Sequence, residues 1–254
     1  MRYGLIGEKL GHSYSKYIHE RMVDCEYDLI PLNEDEFDLF MKAKKFAGIN
    51  VTIPYKERVI PYLNDVDDLA KKIGAVNTIV NTNGSLKGYN TDFYGLLYLF
   101  NSNKIKVEHK KCLVLGSGGT AKTAQAVLEK LKAKEIITVS RKPRGSKETS
   151  YEECYERHND AQVIVNTTPV GMYPNMDASP LDLATFIQCI AVIDVIFNPI
   201  ETRLTKQAKD LGILAVTGLP MLVAQAKQAE EYFRAIKLDD AIIDTITQEL
   251  MEKI

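Results

Sequence analysis

The stretch Lys111-Cys-Leu-Val-Leu-Gly-Ser-Gly-Gly-Thr-Ala-Lys122 constrains this chain more than any other. Cys112 to Leu115 is a short apolar run with strand character, and it stops at Gly116-Ser117-Gly118-Gly119. A helical pattern opens at Ala121, with Ala124, Val127, Leu128 and Leu131 on one face. Strand, glycine turn and helix in that order begin a βαβ nucleotide-binding unit. Gly116, Gly118 and Ala121 fit the spacing G-x-G-x-x-G/A. The first glycine permits a tight turn, and the second leaves out a Cβ where a pyrophosphate must approach the backbone. The small Ala121 lets helix and strand pack closely, and free N–H groups at the helix start face the anion. Ser117, Gly119 and Thr120 complete the expected cofactor loop. The same glycines would also serve a bare strand-to-helix turn; the flanking strand and helix favour the dinucleotide reading.

A chain of 254 residues can bury one large core or two modest ones, and 45% hydrophobic with 26% charged residues suits a globular protein. Net charge is −2, which argues against a nucleic-acid footprint or a polybasic membrane patch. No apolar run approaches a membrane span, and the N-terminal MRYGLIGEKLGHS is too weakly apolar for a signal peptide. Cys25, Cys112, Cys154 and Cys189 are far apart without C-x-x-C, as expected of reduced thiols in a cytoplasmic enzyme. No repeat or Pro/Ser-rich linker marks a domain boundary.

Upstream of the glycine turn, Tyr3 to Ile6 reads as a strand ending at Gly7, and Ile18, Met22 and Cys25 suggest a helix from about Ser15. Ser13 and Ser15 then sit in a strand-to-helix loop, able either to cap the helix or to bind a small carboxylate. Tyr27 to Leu32 is strand-like, and Asn33 stands at the start of a helix carrying Phe37, Phe40 and Met41. Gly48 to Ile53 reads as a strand ended by Pro54, with Asn50 and Thr52 on one face and Lys56 just beyond. A helix over Asp65 to Ile73 closes at Gly74. A hairpin follows, from Ala75–Val80 and Ser85–Tyr89 around Asn83-Gly84. The next helix runs from about Thr91 to Asn101; Asn90 or Thr91 could cap it and Asp92 complement its dipole.

Taken together these segments resemble the shikimate dehydrogenase family over nearly the whole chain. Its G-L-I-G strand and H-S-x-S stand as Gly4 to Gly7 and His12-Ser-Tyr-Ser15, its N-V-T-x-P-x-K as Asn50 to Lys56. Its G-A-V-N-T is Gly74 to Thr78, and its G-x-N-T-D-x-x-G is Gly88 to Gly95. The resemblance implies that Ser13 and Ser15 bind the shikimate carboxylate rather than merely cap a helix. It implies that Thr52, Lys56, Asn77 and Asp92 contact ring hydroxyls, with Lys56 and Asp92 the catalytic pair. Two family features are missing: Lys16 stands where Pro is common, and Glu20 replaces a later helix Asn.

Past the glycine turn, Glu135 to Ser140 is the next strand. NAD-preferring enzymes carry an acid at this strand's end to hold the ribose 2′-hydroxyl. Here the end reads Ser140-Arg141-Lys142-Pro143-Arg144, without an acid. An arginine pairs with a 2′-phosphate where a carboxylate would repel it. This predicts NADP, with Ser140, Arg141 and Lys142 or Arg144 at the phosphate, unless the segment is simply a solvated basic loop. Further strands are expected over Ala161–Asn166, Ile190–Asp194 and Ile213–Thr217, with a helix over Thr202–Gly212 and closing helices over Gln225–Ile236 and Asp239–Ile254. Asn166, Thr167 and Thr168 resemble the start of the family's N-A-T-x-x-G-M loop near the cofactor. Asp194 to Pro199 resembles D-x-x-Y-x-P, with Phe197 in place of the family Tyr and one substrate hydrogen bond expected to be lost. Gly218 to Ala226 resembles G-x-x-M-L-V-x-Q-A, which implies Gly218 and Met221 at the nicotinamide and Gln225 on a substrate hydroxyl. Pro220 departs from that pattern. By spacing alone Met221 would be a core residue and Gln225 a solvated one.

The expected fold is α/β: a discontinuous substrate domain, 1–101 with 220–254, and a Rossmann-type NADP-binding domain over 102–219, with substrate and cofactor meeting in a cleft between them. The implied reaction is reversible NADPH-dependent reduction of 3-dehydroshikimate to shikimate, in a monomer or homodimer acting on a small molecule. No metal is expected, since His12 and His19 have no ligand spacing with other donors. The alternatives are an NAD-using quinate/shikimate dehydrogenase, a catalytically silent metabolite sensor, and a reductase of another small ketone.

Overall fold

The computed structural model describes residues 2–11, 13–145 and 147–253; His12 lies outside them. In chain order the elements are β1 (Tyr3–Gly7), α1 (Ser15–Met22), β2 (Tyr27–Pro31), α2 (Glu34–Ala43), β3 (Gly48–Val51), β4 (Asp65–Val66), α3 (Asp68–Ile73), β5 (Thr78–Thr82), β6 (Ser85–Tyr89) and α4 (Asp92–Ser102). There follow β7 (Lys111–Leu115), α5 (Gly119–Lys130), β8 (Glu135–Val139), β9 (Glu148–Thr149), α6 (Tyr151–Arg157), β10 (Val163–Asn166), β11 (Ala191–Asp194), α7 (Arg203–Asp210), β12 (Leu214–Val216), α8 (Leu219–Arg234) and α9 (Ala241–Met251). Two compact units result: Met1–Gly95 with Val223–Gln248, and Leu96–Leu222 with Glu249–Ile254. The breaks fall inside α4, α8 and α9.

The first unit holds a mixed sheet in the order β2-β1-β3-β5-β6-β4. β1 runs parallel to β2 and β3, whereas β5 is antiparallel to β3 and β6. Ile6, Ile49 and Ile79 from the strands pack with Phe37, Met41, Tyr55 and Val59 in one core. The register follows from alternation: Ile49 faces this core while its neighbour Asn50 cannot, and Asn50 therefore belongs to a polar layer. The Asn33 signal is realised as a capping box, in which Asn33 accepts from Glu36 N and Glu36 accepts from Asn33 N.

The second unit holds an all-parallel sheet in the order β12-β11-β10-β7-β8-β9. Chain order reverses between β7 and β10, the topological switch point at which open α/β sheets bind ligands beyond the carboxyl ends of their strands. Its central strands β7, β10 and β11 are largely apolar on both faces, as a parallel sheet covered on two sides requires, and Leu113, Leu115, Val139, Ile164 and Val192 join Phe186 and Leu204 in one core.

Several expected boundaries move. The helix before Gly74 starts at Asp68, because Asp67 caps it by accepting from Leu69 N, and the residues before it form β4. β5 begins at Thr78 rather than Ala75. α5 begins at Gly119, two residues before Ala121, and α8 at Leu219, so Pro220 and Met221 lie in the first turn of a helix expected from Gln225. Proline is tolerated there, where the N–H has no intrahelical partner. β9 and α6 had no expectation.

Candidate active site

In the first unit, Lys56 lies in the turn after β3 and Asp92 opens α4. Lys56 Nζ donates to Asp92 Oδ2 at 2.6 Å, with 19% and 13% of the two side chains exposed. The pair is close enough to act together and open enough to reach a small molecule. Polar groups stand in line beside it. Asn77 Oδ1 accepts from Thr91 N at 2.7 Å, and Asn77 Nδ2 donates to Thr91 Oγ1 at 3.0 Å. Thr91 Oγ1 donates to Gln225 Oε1 at 3.4 Å. Gln225 is half-buried and not solvated, as spacing alone would have it, and Asn77 is buried. Thr91 is fully buried and ties these two together; sequence reading saw in it only a possible cap. Asn90 does cap, accepting from Phe93 N at 3.2 Å.

A second polar line fixes Asn77 from behind. Tyr27 OH donates to Asn50 Oδ1 at 2.7 Å, Asn50 Nδ2 donates to Thr78 Oγ1 at 3.0 Å, and Thr78 Oγ1 donates to Asn77 Oδ1 at 3.1 Å. The Tyr27 ring stacks on His19, 4.0 Å between centroids, and His19 Nδ1 meets Glu230 Oε1 at 2.6 Å in full burial. Burial pushes the Glu230 carboxyl up, but hydrogen bonds from His19 and Arg234 hold it below the ordinary value overall. The two departures from the family pattern, Lys16 and Glu20, pair with each other one turn apart. They also grip the Tyr27 backbone: Lys16 Nζ donates to Tyr27 O and Glu20 Oε1 accepts from Tyr27 N, both at 3.0 Å.

Ser13 and Ser15 are adjacent, with 3.1 Å between hydroxyls. Ser13 Oγ also accepts from Ser15 N at 3.2 Å, whereas the cap position of α1 is Tyr14, without a side-chain cap bond. Helix capping by either serine is therefore not what the geometry shows. Thr52 is half-buried at the end of β3, its N–H donating to Ile6 O at 2.9 Å.

In the second unit, β7 is followed by Gly116, whose φ of 109° suits glycine. A Cβ there would lie 2.8 Å from Thr167 Oγ1, whereas one on Gly118 would meet nothing within 4 Å. Open space at Gly118, the cap position of α5, leaves the first N–H groups of that helix facing outward without a side-chain cap. Ser117 is exposed and Gly119 and Thr120 half-exposed, while Ala121 is buried against the sheet. Thr167 Oγ1 donates to Leu115 O at 2.6 Å, and Asn166 Oδ1, at the end of β10, accepts from Thr168 N and Thr168 Oγ1, so the two residues after β10 fold over the glycine turn. Ser140 Oγ, at the end of β8, is buried without a partner beside the exposed Arg141, Lys142 and Arg144. A cradle of outward N–H groups, an orphan hydroxyl and exposed cations is chemically fitted to a phosphorylated dinucleotide. Gly218 immediately precedes α8, and buried Met221 lies in its first turn. Among the described residues no cluster of three His, Cys, Asp or Glu could hold a metal ion, and no helix is long and apolar enough to cross a membrane.

A family model of the shikimate dehydrogenase substrate binding domain matches residues 5–79. A shikimate dehydrogenase (NADP(+)) of Clostridium perfringens is 39% identical over 98% of this chain and 97% of its own length. Among solved structures, the chorismate mutase/shikimate 5-dehydrogenase fusion protein of Clostridium acetobutylicum superposes with a TM-score of 0.92 at 38% identity, over 99% of this chain and 97% of that one. The shikimate 5-dehydrogenase of Thermus thermophilus, solved with NADP(H) and shikimate, gives 0.87 at 27% identity, over 98% and 99%. Identity of this extent along nearly the whole length establishes that the chain belongs to the shikimate dehydrogenase family.

Proposed function

We propose that the protein catalyses the reversible NADPH-dependent reduction of 3-dehydroshikimate to shikimate, a step toward chorismate and the aromatic amino acids; relatives named shikimate dehydrogenase (NADP(+)) support this reading. The observation that carries this reading is the Lys56–Asp92 pair at 2.6 Å beside Asn77, Thr91 and Gln225. The residues of the second unit fit NADP, and the bound cofactor supplies the hydride. Gly116 to Ala121 hold its pyrophosphate, Ser140, Arg141 and Lys142 its 2′-phosphate, and Gly218 and Met221 its nicotinamide end, with Asn166 to Thr168 lining the cofactor beside the glycine turn.

In the first unit, Ser13 and Ser15 hold the substrate carboxylate with two hydroxyls. Thr52, Asn77, Asp92 and Gln225 hold the ring hydroxyls and fix which carbon is presented. Negative charge developing on the keto oxygen is met by the Lys56 ammonium, which donates the proton. Asp92 orients that ammonium and accepts from the hydroxyl that forms. The protein then acts in the cytoplasm on a small-molecule substrate, as a monomer or homodimer. Initial rates of shikimate and quinate oxidation, each with NADP and NAD, test this: turnover is expected with shikimate and NADP foremost. Absence of that turnover, or faster turnover of quinate with NAD, overturns it.

A further inference from the structure

Asp194 is a carboxylate in an unusual place. It ends β11 with no exposed surface, in the apolar run Ala191-Val-Ile-Asp194. Three neutral donors meet it: Asn166 Nδ2 at 3.0 Å and Ile196 N at 3.1 Å on Oδ1, and Thr202 Oγ1 at 2.7 Å on Oδ2. Burial pushes the carboxyl up to about 6 against these hydrogen bonds, so the group is ionised at neutral pH and presents acceptors only. An ionised group buried without a cation is costly, and an apolar residue of that volume would suit the strand better.

The three donors belong to different segments at or past the carboxyl ends of the strands. Asn166 closes β10, and its Oδ1 holds Thr168 N and Thr168 Oγ1 of the following loop at 3.0 and 2.7 Å. Thr167 and Thr168 are the residues a Cβ on Gly116 would strike. Ile196 lies in the loop after β11, and its carbonyl accepts from Gly218 N at 3.0 Å, at the entry of α8. Thr202 caps α7. One carboxylate therefore fixes the Asn166–Thr168 loop directly, and Gly218 through Ile196. These are segments assigned above to the cofactor.

We infer that Asp194 is the positioning residue of the cofactor site, holding the Asn166–Thr168 loop and the Ile196–Gly218 contact in the arrangement that receives NADPH. The inference rests on the dinucleotide reading. The purified full chain, titrated with NADPH by fluorescence and assayed with shikimate, separates the two. Asp194→Ala is expected to weaken NADPH binding about tenfold or more, since charge-assisted bonds to two loops are lost. The KM for shikimate should stay within about twofold. Asp194→Asn is expected to recover NADPH affinity to within about threefold, because its carbonyl oxygen can serve Asn166 and Ile196 while its amide donates to Thr202. If Asp194→Ala does not fold, Thr202→Val removes one bond to Asp194 together with the α7 cap, leaves the Asn166 and Ile196 arms, and should weaken NADPH binding about two- to fivefold. An NADPH affinity unchanged in Asp194→Ala, or in Thr202→Val where that is the variant measured, overturns the inference; so do an Asp194→Asn no better than Ala and equal losses for NADPH and shikimate. A wild-type chain that does not bind NADPH overturns the dinucleotide reading, and the inference with it.

Discussion

Lys56 and Asp92 lie 36 positions apart, and nothing local to either segment announces the other. A lysine after a strand and an aspartate in the first turn of a helix have ordinary solvated roles; only the fold brings Nζ and Oδ2 within bonding distance. Lys56→Ala should therefore remove both the proton donor and the partner of a largely buried carboxylate. A fall in kcat of about 10²–10⁴ is expected, with NADPH affinity held; near wild-type turnover takes Lys56 out of the mechanism. Arg141 carries a different kind of prediction. It is exposed, and beside it Ser140 Oγ is buried with no partner, so a phosphate could satisfy the hydroxyl while the guanidinium supplies charge. Arg141→Ala should lower kcat/KM for NADPH about tenfold or more and leave that for NADH within about twofold. Equal losses with both cofactors would mean that the basic loop does not read the 2′-phosphate.

Gly218 shows how closely the elements beyond the strand ends are fitted. A Cβ on it would sit 2.1 Å from Val195 O and 2.9 Å from Ile196 O, both backbone atoms that no rotamer change can move. Gly218→Ala should force β11's following loop away from the entry of α8 and cost on the order of 1–3 kcal/mol of stability, measured by urea unfolding. A variant as stable as the parent would show that the loop yields freely. This fit is not legible in the sequence, where Gly218 stands only as a family match, and where α8 is expected from Gln225 instead of Leu219. Elements with strong local signals are legible: the glycine turn, the Asn33 cap and the alternation around Asn50. β9 has two residues and α6 seven, too short for periodicity to register. The site divides the same way. The residues assigned to substrate are reached through motif order; Asn50, Thr78, Thr91 and Asp194 stand in the same motifs, but what each of them touches, and Tyr27 altogether, are not legible there, because their function is contact with other residues. For Asp194 the motif match and the lone acid closing an apolar strand mark the position, but neither names the donors that meet it.

At the scale of the whole chain, the two units carry buried carboxylates shifted in opposite directions, so acid should act on them differently. In the first unit Glu231 is buried yet held down to about 2 by Leu238 N, Lys227 and Lys237, which outweigh the opposing effect of burial. Its folded value lies below the unfolded one of about 4.5, so its contribution, roughly 2–3 kcal/mol, is present above pH 4.5 and lost as pH falls toward 2. Glu230 shifts in the same direction. In the second unit Asp194 rises from 3.8 to about 6 through burial. Its native state binds the proton first, so this unit gains stability, by up to about 3 kcal/mol, as pH falls from above 6 to below 4. His158 opposes that gain: burial and then Lys111 depress its value, and its protonation below the ordinary 6.5 costs the folded state. Comparing the parent with Asp194→Asn cancels the His158 effect. Hydrogen-exchange protection of β7, β10 and β11, corrected for intrinsic rates, should rise between about pH 7 and 4.5 in the parent relative to the variant. Protection of β1, β3 and β5 should be indifferent to the substitution and decline only below about pH 4.5. Parallel pH profiles for parent and variant in the second unit would show that Asp194 is not titrating there, and acid loss beginning in the second unit would reverse the assignment of the two carboxylates.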